Sequence, residues 1–360
     1  MKRTFIISII VILLFTFSPM ILAENRSDWA FLCQVANDKK TVYIVRADGS
    51  ESRPLISGKN IEPFEVGKHF LVYVDHKLYQ YDLSNQQLKL LTEFKEDHIY
   101  IQKLSNGPDA PDQALVIAEN MFERNLYILE FSDGSSRLVQ NTFSGGSAGS
   151  SSLKGLSPDQ KKISIVKQAP MSLRFELSLQ EKIKDRFKTT WSLPQDMTII
   201  PESPVWSPDS SMLVFYAKQF ESIEGFYSLY LLNTGTKELN IIQEQVFSKF
   251  SFGDFRMGPF TPNWSPDSKN IVFQYQPYGL PTGSSIIKYN SEENKKVTLV
   301  ANSGHHLYPL WSPSGNWVLY LGNPESTKDQ AYTVSSTGNQ NIRLSPPDGY
   351  TEWAAWCESN

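Results

Sequence analysis

Four groups of residues in this 360-residue chain have the types and spacing to do chemistry. Gly145-Gly146-Ser147-Ala148-Gly149 matches G-x-S-x-G, the turn that presents a serine nucleophile. That turn needs a buried strand before it and a helix after it. QNTFS precedes it and SSSLKG follows, and neither fits, so the stretch reads as a Gly/Ser connection. His305-His306 is the one adjacent pair among five histidines and offers imidazoles for a metal. Neighbours on a strand point to opposite faces, so a shared metal would require a loop there. No carboxylates cluster beside them. We expect no metal and no cofactor, with His305 and His306 as the only ligand candidates. Cys33 and Cys357 could form a disulfide in an exported protein. Asp159, Asp209 and Asp267 recur in one motif, S-P-D. A carboxylate repeated at equivalent positions is architectural, because an active site needs a single place.

The elements that carry these residues come from a repeat. KGLSPDQKKISIV from Lys154, PVWSPDSSMLVFY from Pro204, PNWSPDSKNIVFQY from Pro262 and PLWSPSGNWVLYL from Pro309 share one anchor. Ser at the first turn position can accept a backbone bond, Pro presets φ at the second, Asp fits the third, and Gly or Ser fits the fourth. The apolar, β-branched and aromatic run that follows reads as a strand. A second hairpin comes after each anchor, marked by a large residue before a polar turn: Tyr43, Tyr79, Tyr127, Phe175, Tyr230, Ile287 and Tyr332. Asp48-Gly49, Asp133-Gly134, Thr234-Gly235 and Thr337-Gly338 supply its turns. The strands before these markers are expected at 29–35, 70–74, 114–118, 163–166, 212–216, 271–275 and 317–321.

Seven units of about four strands each predict an all-β, seven-bladed β-propeller, with six blades as the alternative. In TEWAAWCESN, Trp356 aligns with Trp311 and Trp353 with Tyr308, so the C-terminus is a first strand without a second. DWAFLCQ near the N-terminus is a second strand without a first. The C-terminal strand is therefore expected to pair with the N-terminal blade and remove two edges. In that alignment Cys33 falls in mid-strand and Cys357 at the turn. At about 3.3 Å per residue the offset exceeds disulfide reach, so a bridge requires the tail to fold back.

The W-S-P-D anchors and the Tyr43–Ile56 hairpin are similar to the propeller repeats of the TolB family. They also resemble the propeller domains of the dipeptidyl-peptidase and prolyl-oligopeptidase families. The likeness runs through the chain after the leader and is sharpest at 204–216, 262–275 and 309–321. It implies a propeller in the periplasm that binds proteins of the cell envelope. TolB proteins carry a small α/β domain ahead of the propeller, and none fits between Ala23 and Trp29.

MKRTFIISIIVILLFTFSPMILA has the layout of a signal peptide: Lys2 and Arg3, an apolar run, then Ala23. An uncleaved anchor is the alternative. The expected organisation is residues 1–23 as signal peptide and 24–360 as one propeller domain, periplasmic or secreted. Removing Lys2 and Arg3 from the 34 basic residues leaves 32 against 38 acidic, about −6, with no block of like charge. That balance argues against nucleic acid and against an anionic membrane surface as partners.

In an up-and-down blade the S-P-D and Asp-Gly turns share one face, and the longer, variable connections share the other. Residues 141–155, 219–228, 247–260 and 276–285 belong to the second face. Phe250, Phe252, Phe255, Arg256, Phe260 and Tyr278 are the candidate partner-binding residues there, as aromatic and arginine anchors. The expected function is non-catalytic binding of a protein or peptide. The alternatives are a lyase-like or hydrolase propeller enzyme with an axial metal or carboxylate site, and a structural module of an envelope assembly.

Overall fold

The computed structural model describes residues 28–66, 69–82, 85, 87–96, 98–103, 112–119, 123–143, 153–169, 172, 174–183, 186–201, 203–220, 225–248, 261–276, 283–301, 304–323 and 328–357. Those residues form antiparallel sheets and no helix. The first sheet contains β1 (Trp29–Ala36), β2 (Lys39–Arg46) and β3 (Ser52–Gly58). The second is β4 (Ile61–Val66), β5 (His69–Val74), β6 (Lys77–Asp82) and β7 (Gln87–Glu93). The third is β8 (His98–Lys103), β9 (Gln113–Glu119), β10 (Glu123–Glu130) and β11 (Ser136–Phe143). The fourth is β12 (Leu153–Leu156), β13 (Lys162–Gln168), β14 (Phe175–Ile183) and β15 (Arg186–Ser192).

In the fifth sheet β16 (Met197–Ile199) and β17 (Val205–Trp206) both pair with β18 (Met212–Gln219), followed by β19 (Phe226–Asn233) and β20 (Leu239–Ser248). The sixth is β21 (Asn263–Trp264), β22 (Asn270–Tyr275), β23 (Ser285–Asn290) and β24 (Lys295–Val300). The seventh is β25 (His306–Trp311), β26 (Trp317–Gly322), β27 (Gln330–Ser335) and β28 (Asn341–Arg343). The last strand, β29 (Tyr350–Cys357), returns to the first sheet and gives the order β29-β1-β2-β3. The expected second strands and the return of the C-terminus to β1 are thus both present.

The S-P-D turn works as its residue types require. Ser157, Ser207 and Ser265 each donate to the Asp two residues on, at 2.6, 2.6 and 2.5 Å. The same hydroxyls accept from the backbone of Lys162, Met212 and Asn270. Each Asp accepts from the backbone N–H two residues further, of Lys161, Ser211 and Lys269. The residue between is left-handed: φ is 59° at Gln160, 64° at Ser210 and 62° at Ser268. In the fourth copy Gly315 takes that position at 73°. Burial works against the Asp159 and Asp209 carboxylates, but these hydrogen bonds outweigh it and hold both below the ordinary range. The three carboxylates are spent on their own turns.

The motif also ties sheets together. Trp206 donates its indole N–H to the Gly155 carbonyl, Trp264 to Val205 and Trp356 to Leu310, at 3.0, 3.2 and 2.8 Å. Each acceptor lies two residues before a turn serine of the preceding sheet. Trp356 does at the C-terminus what Trp264 does inside the chain, which makes β29 the first strand of the first sheet. Ser210 and Ser268 extend the link by accepting from the Asp159 and Asp209 backbone. Where the motif is absent, rings and buried polar groups take over. Phe31 stacks on Phe70 at 3.5 Å between the first two sheets. Between the second and third, His69 contacts Asp112 at 2.9 Å and stacks on Phe131, and Glu96 accepts from Tyr127 at 3.0 Å.

Some expectations need correction. Phe175 is not the fourth marker. In the other sheets the marker pairs with the fourth residue of the second strand, and in the fourth sheet that partner is Ser178, opposite Ile165. Phe175 pairs with Gln168 at the strand's far end. The alignment slid to the nearest aromatic because the true position lacks one. At Thr234-Gly235 the left-handed residue is Lys237, φ 66°, in a turn built on the Asn233 side chain. Cys33 and Cys357 are buried and not bridged. Cys357 pairs with Trp29, and Cys33 with Trp353. Four residues along β1 separate them, about 13 Å.

Trp311 occupies the ladder position of Trp264, but its indole N–H is buried without a partner; its backbone N–H bonds Asn263 instead. The two rings are similarly buried, at 7% and 5% exposure. Trp264→Phe should therefore lose about 1 kcal/mol more stability than Trp311→Phe, the worth of one hydrogen bond. Urea unfolding of the two variants measures the difference, and equal losses would remove the indole from the ladder.

Candidate functional site at the first strands

First strands of three sheets meet around one pocket. β4 supplies Ile61, Glu62, Pro63 and Phe64, β8 supplies Ile99, and β29 supplies Glu352 and Trp353. Lys40, at the start of β2, completes the lining of a 300 Å³ space. Ile61 opens β4, Ile99 is second in β8, and Glu352 is third in β29. The pocket thus lies at the end where the chain passes from one sheet to the next, the face of the longer connections. The alternation of Ile61, Pro63 and Phe64 with Glu62 puts apolar and acidic groups side by side at the rim. Trp353 is held by stacking on Phe70, with ring centres 5.9 Å apart.

One ion pair crosses the pocket wall, Lys40 Nζ to Glu352 at 2.6 Å. Burial works to lower the Lys40 ammonium, but the hydrogen bond and charge of Glu352, with the Glu62 charge adding to them, outweigh it and hold it above the ordinary lysine value. Beneath the pair, burial, with the Glu352 charge adding to it, pushes the Cys33 thiol up to about 12. A thiol that high is not a nucleophile at neutral pH.

β29 carries the site towards the seventh sheet. Its Thr351 N–H donates to the Asp329 carbonyl at 2.8 Å, and Lys328 lies 5.9 Å from the Tyr350 ring centre. Burial raises the Asp329 carboxyl against the opposing pull of His305, and one of its oxygens is buried without a hydrogen bond. Near it, Tyr308 has φ 54°. A bulky residue there is strained, and the strain coincides with a register break in β25 between Leu307 and Leu310.

The histidine pair is divided between two tasks. His305 precedes β25 and takes a bond from its own N–H to the Asn323 side chain at 2.8 Å. His306 is 1% exposed. Its ring reaches the Ala301 carbonyl at 3.2 Å and lies edge-on to Tyr320 at 5.5 Å. Burial lowers its pKa. No group of three or more His, Cys, Asp or Glu able to hold a metal occurs among the described residues. Phe250, Phe252, Phe255, Arg256, Phe260 and Tyr278 lie outside the described residues, as do Gly145–Gly149. Sequence reasoning missed the Lys40–Glu352 pair and Glu62. The available signal was Trp353: its alignment with Tyr308 already put it on a first strand.

No protein family's sequence pattern matches the chain, and no curated protein matches it. Solved structures do. An oligogalacturonate lyase from Vibrio parahaemolyticus is 12% identical, with a TM-score of 0.51 over 85% of this chain and 91% of that one. The β-propeller domain of the Trilobed protease from Pyrococcus furiosus is 11% identical, with a TM-score of 0.50 over 88% and 94%. TolB from Acinetobacter baumannii is 14% identical, with a TM-score of 0.48 over 92% of this chain and 66% of that one. The chain spans just under two thirds of that TolB. The fold is that of a β-propeller, similar to TolB-like and peptidase-type propellers. At these identities the likeness extends to the fold alone.

His306 gives a pH prediction. Its folded pKa lies below the ordinary value of about 6.5. The unfolded chain therefore takes up the proton first, and stability present above that value is lost as pH falls through it. His306→Gln should flatten the fall between pH 7 and 5 by up to about 1.4 kcal/mol per pH unit. Urea midpoints across that range test it; parallel curves for the two proteins would refute it.

Proposed function

We propose that the protein is an exported, non-catalytic seven-bladed propeller that binds a protein or peptide partner of the cell envelope at the end where β4, β8 and β29 begin. In this reading the seven sheets are blades around one axis, and β29 closes the ring. The observation that carries it is the lining of the pocket. Ile61, Pro63, Phe64, Ile99 and Trp353 form an aliphatic and aromatic wall with one ion pair at its edge. Such a wall suits an apolar side chain anchored by a polar rim. The connection 247–260, with Phe250, Phe252, Phe255, Arg256 and Phe260, would extend the surface, and Tyr278 would add to it.

Export rests on the leader, with cleavage near Ala23; among the described residues no helix is long and apolar enough to cross a membrane. N-terminal sequencing of the protein from its native envelope tests cleavage.

Two variants test binding. Trp353→Ala and deletion of 249–260, which spares β20, should each weaken capture of a cross-linked envelope partner by about tenfold or more, the scale of one interface anchor, while the fold persists by circular dichroism. Undiminished capture by both variants would overturn the assignment. So would turnover of an oligosaccharide or peptide by the purified protein that disappears in Asp329→Asn.

A further inference from the structure

The fourth sheet breaks a pattern that the other six keep. In those six, the fourth residue of the second strand faces a large third-strand side chain. The pairs are Leu32–Tyr43, Val72–Tyr79, Val116–Tyr127, Phe215–Tyr230, Phe273–Ile287 and Tyr320–Tyr332. Each of those third-strand residues packs into an apolar cluster shared with the preceding sheet, or for Tyr43 with the seventh. In the fourth sheet the pair is Ile165–Ser178. Register puts Lys167, Glu176, Gln180 and Ser192 on the same face as Ser178. Val166, Leu177 and Leu179 turn the other way, into the cluster shared with the fifth sheet. Six clusters join the fourth sheet to the fifth, and so on through the first to the third; none joins the third to the fourth among the described residues. A cleft of 570 Å³ lies against the Ser178 face instead, lined by Ile165, Leu177 and Leu193 as well as by the polar groups. That volume is in the range of small-ligand sites.

The groups on this wall say what it can recognise. Arg174 is already committed, to Glu176 and to the Gln195 carbonyl at 2.8 Å. Lys167 is exposed and has no ion-pair partner among the described residues. One uncompensated ammonium therefore stands among the hydroxyls of Ser178 and Ser192 and the amide of Gln180. At Ser178 and Gln180 no backbone edge is presented, since both lie inside β14, paired with β13 on one side and β15 on the other. Recognition here is by side chains.

We propose that this cleft binds a small organic anion carrying hydroxyl groups, its carboxylate on Lys167 and its hydroxyls on Ser178, Gln180 and Ser192. The site is separate from the pocket at β29 and does not depend on a partner binding there. A sugar acid and an open-chain hydroxy acid share this chemistry.

Isothermal titration of the full chain with glucuronate, gluconate, glucose and acetate tests it. At least one of the two acids should bind, and glucose and acetate should bind about tenfold more weakly, each lacking half of the recognised groups. Preference for glucuronate would identify the sugar acid, and preference for gluconate the open-chain acid. Lys167→Gln should weaken the better acid about tenfold, one charge-assisted hydrogen bond, and Ser178→Ala several-fold. Both side chains lie at the cleft, so melting temperatures equal to the parent's show that the fold is kept. No binding of either acid up to about 10 mM, near the weak end of specific affinities, would overturn the proposal. Equal affinity of Lys167→Gln and the parent, or equal binding of acetate, would do the same.

Discussion

Burial of apolar sheet faces against neighbouring sheets is the constraint on which the structure rests. A four-stranded sheet with apolar residues on each face is unstable alone and needs a neighbour on either side. The second strands show the requirement directly. In β18, Leu213, Phe215 and Ala217 pack towards the fourth sheet, while Val214 and Tyr216 pack towards the sixth. In β1, Phe31 and Cys33 turn to the second sheet, and Ala30 and Leu32 to the seventh. The first sheet can meet that requirement only because β29 completes it, bringing Trp356 into the interface with the seventh. The pairing of β29 with β1 is thus a consequence of the packing as well as of the hydrogen bonding.

Stacking alone does not set the angle or height at which one sheet meets the next. The tryptophan ladder does that from the fourth sheet to the sixth and from the seventh to the first, and between the sixth and seventh the Trp311 backbone N–H on Asn263 takes its place. An indole N–H on one first strand reaches a carbonyl on the preceding one, and turn serines add a second tie a few ångströms away. The second and third sheets use irregular means. Stacked Phe31 and Phe70, His69 with Asp112 and Phe131, and the buried Glu96 each serve one interface only. These one-off contacts explain why the repeat fades along the sequence there while the sheets persist in space.

The same division separates scaffold from site. The end of each sheet that carries the S-P-D turns is occupied by carboxylates and hydroxyls bonded to their own backbone. At the opposite end, where chain passes between sheets, side chains have unspent capacity. Asp329 has a buried oxygen without a donor, Tyr308 is strained, and Lys40, Glu352 and Trp353 line open space. Repetition gives the first end its uniformity. The second is free to differ from sheet to sheet, and so can form a single place.

Much of the fold was legible before any coordinates. S-P-D followed by an apolar run specifies a turn and a strand by local chemistry, and all seven second strands lie where the pattern put them. The unmatched halves at the two ends foretold the pairing of β29 with β1, because a lone strand edge must find a partner. Phe175 marks where that reasoning failed: a repeat search follows residue type, and Ser178 has the wrong type at the right place. Only tertiary structure could correct it, since register depends on which residues hydrogen-bond across strands. The pocket was illegible for the same reason. Lys40, Glu62, Ile99 and Glu352 are separated by up to some 300 residues of sequence, and no local pattern connects them. The sequence by itself determined turns, strands and their order, because these follow from short-range backbone preferences. The tertiary structure decided which faces meet and which side chains share a cavity, because those follow from packing between distant parts of the chain.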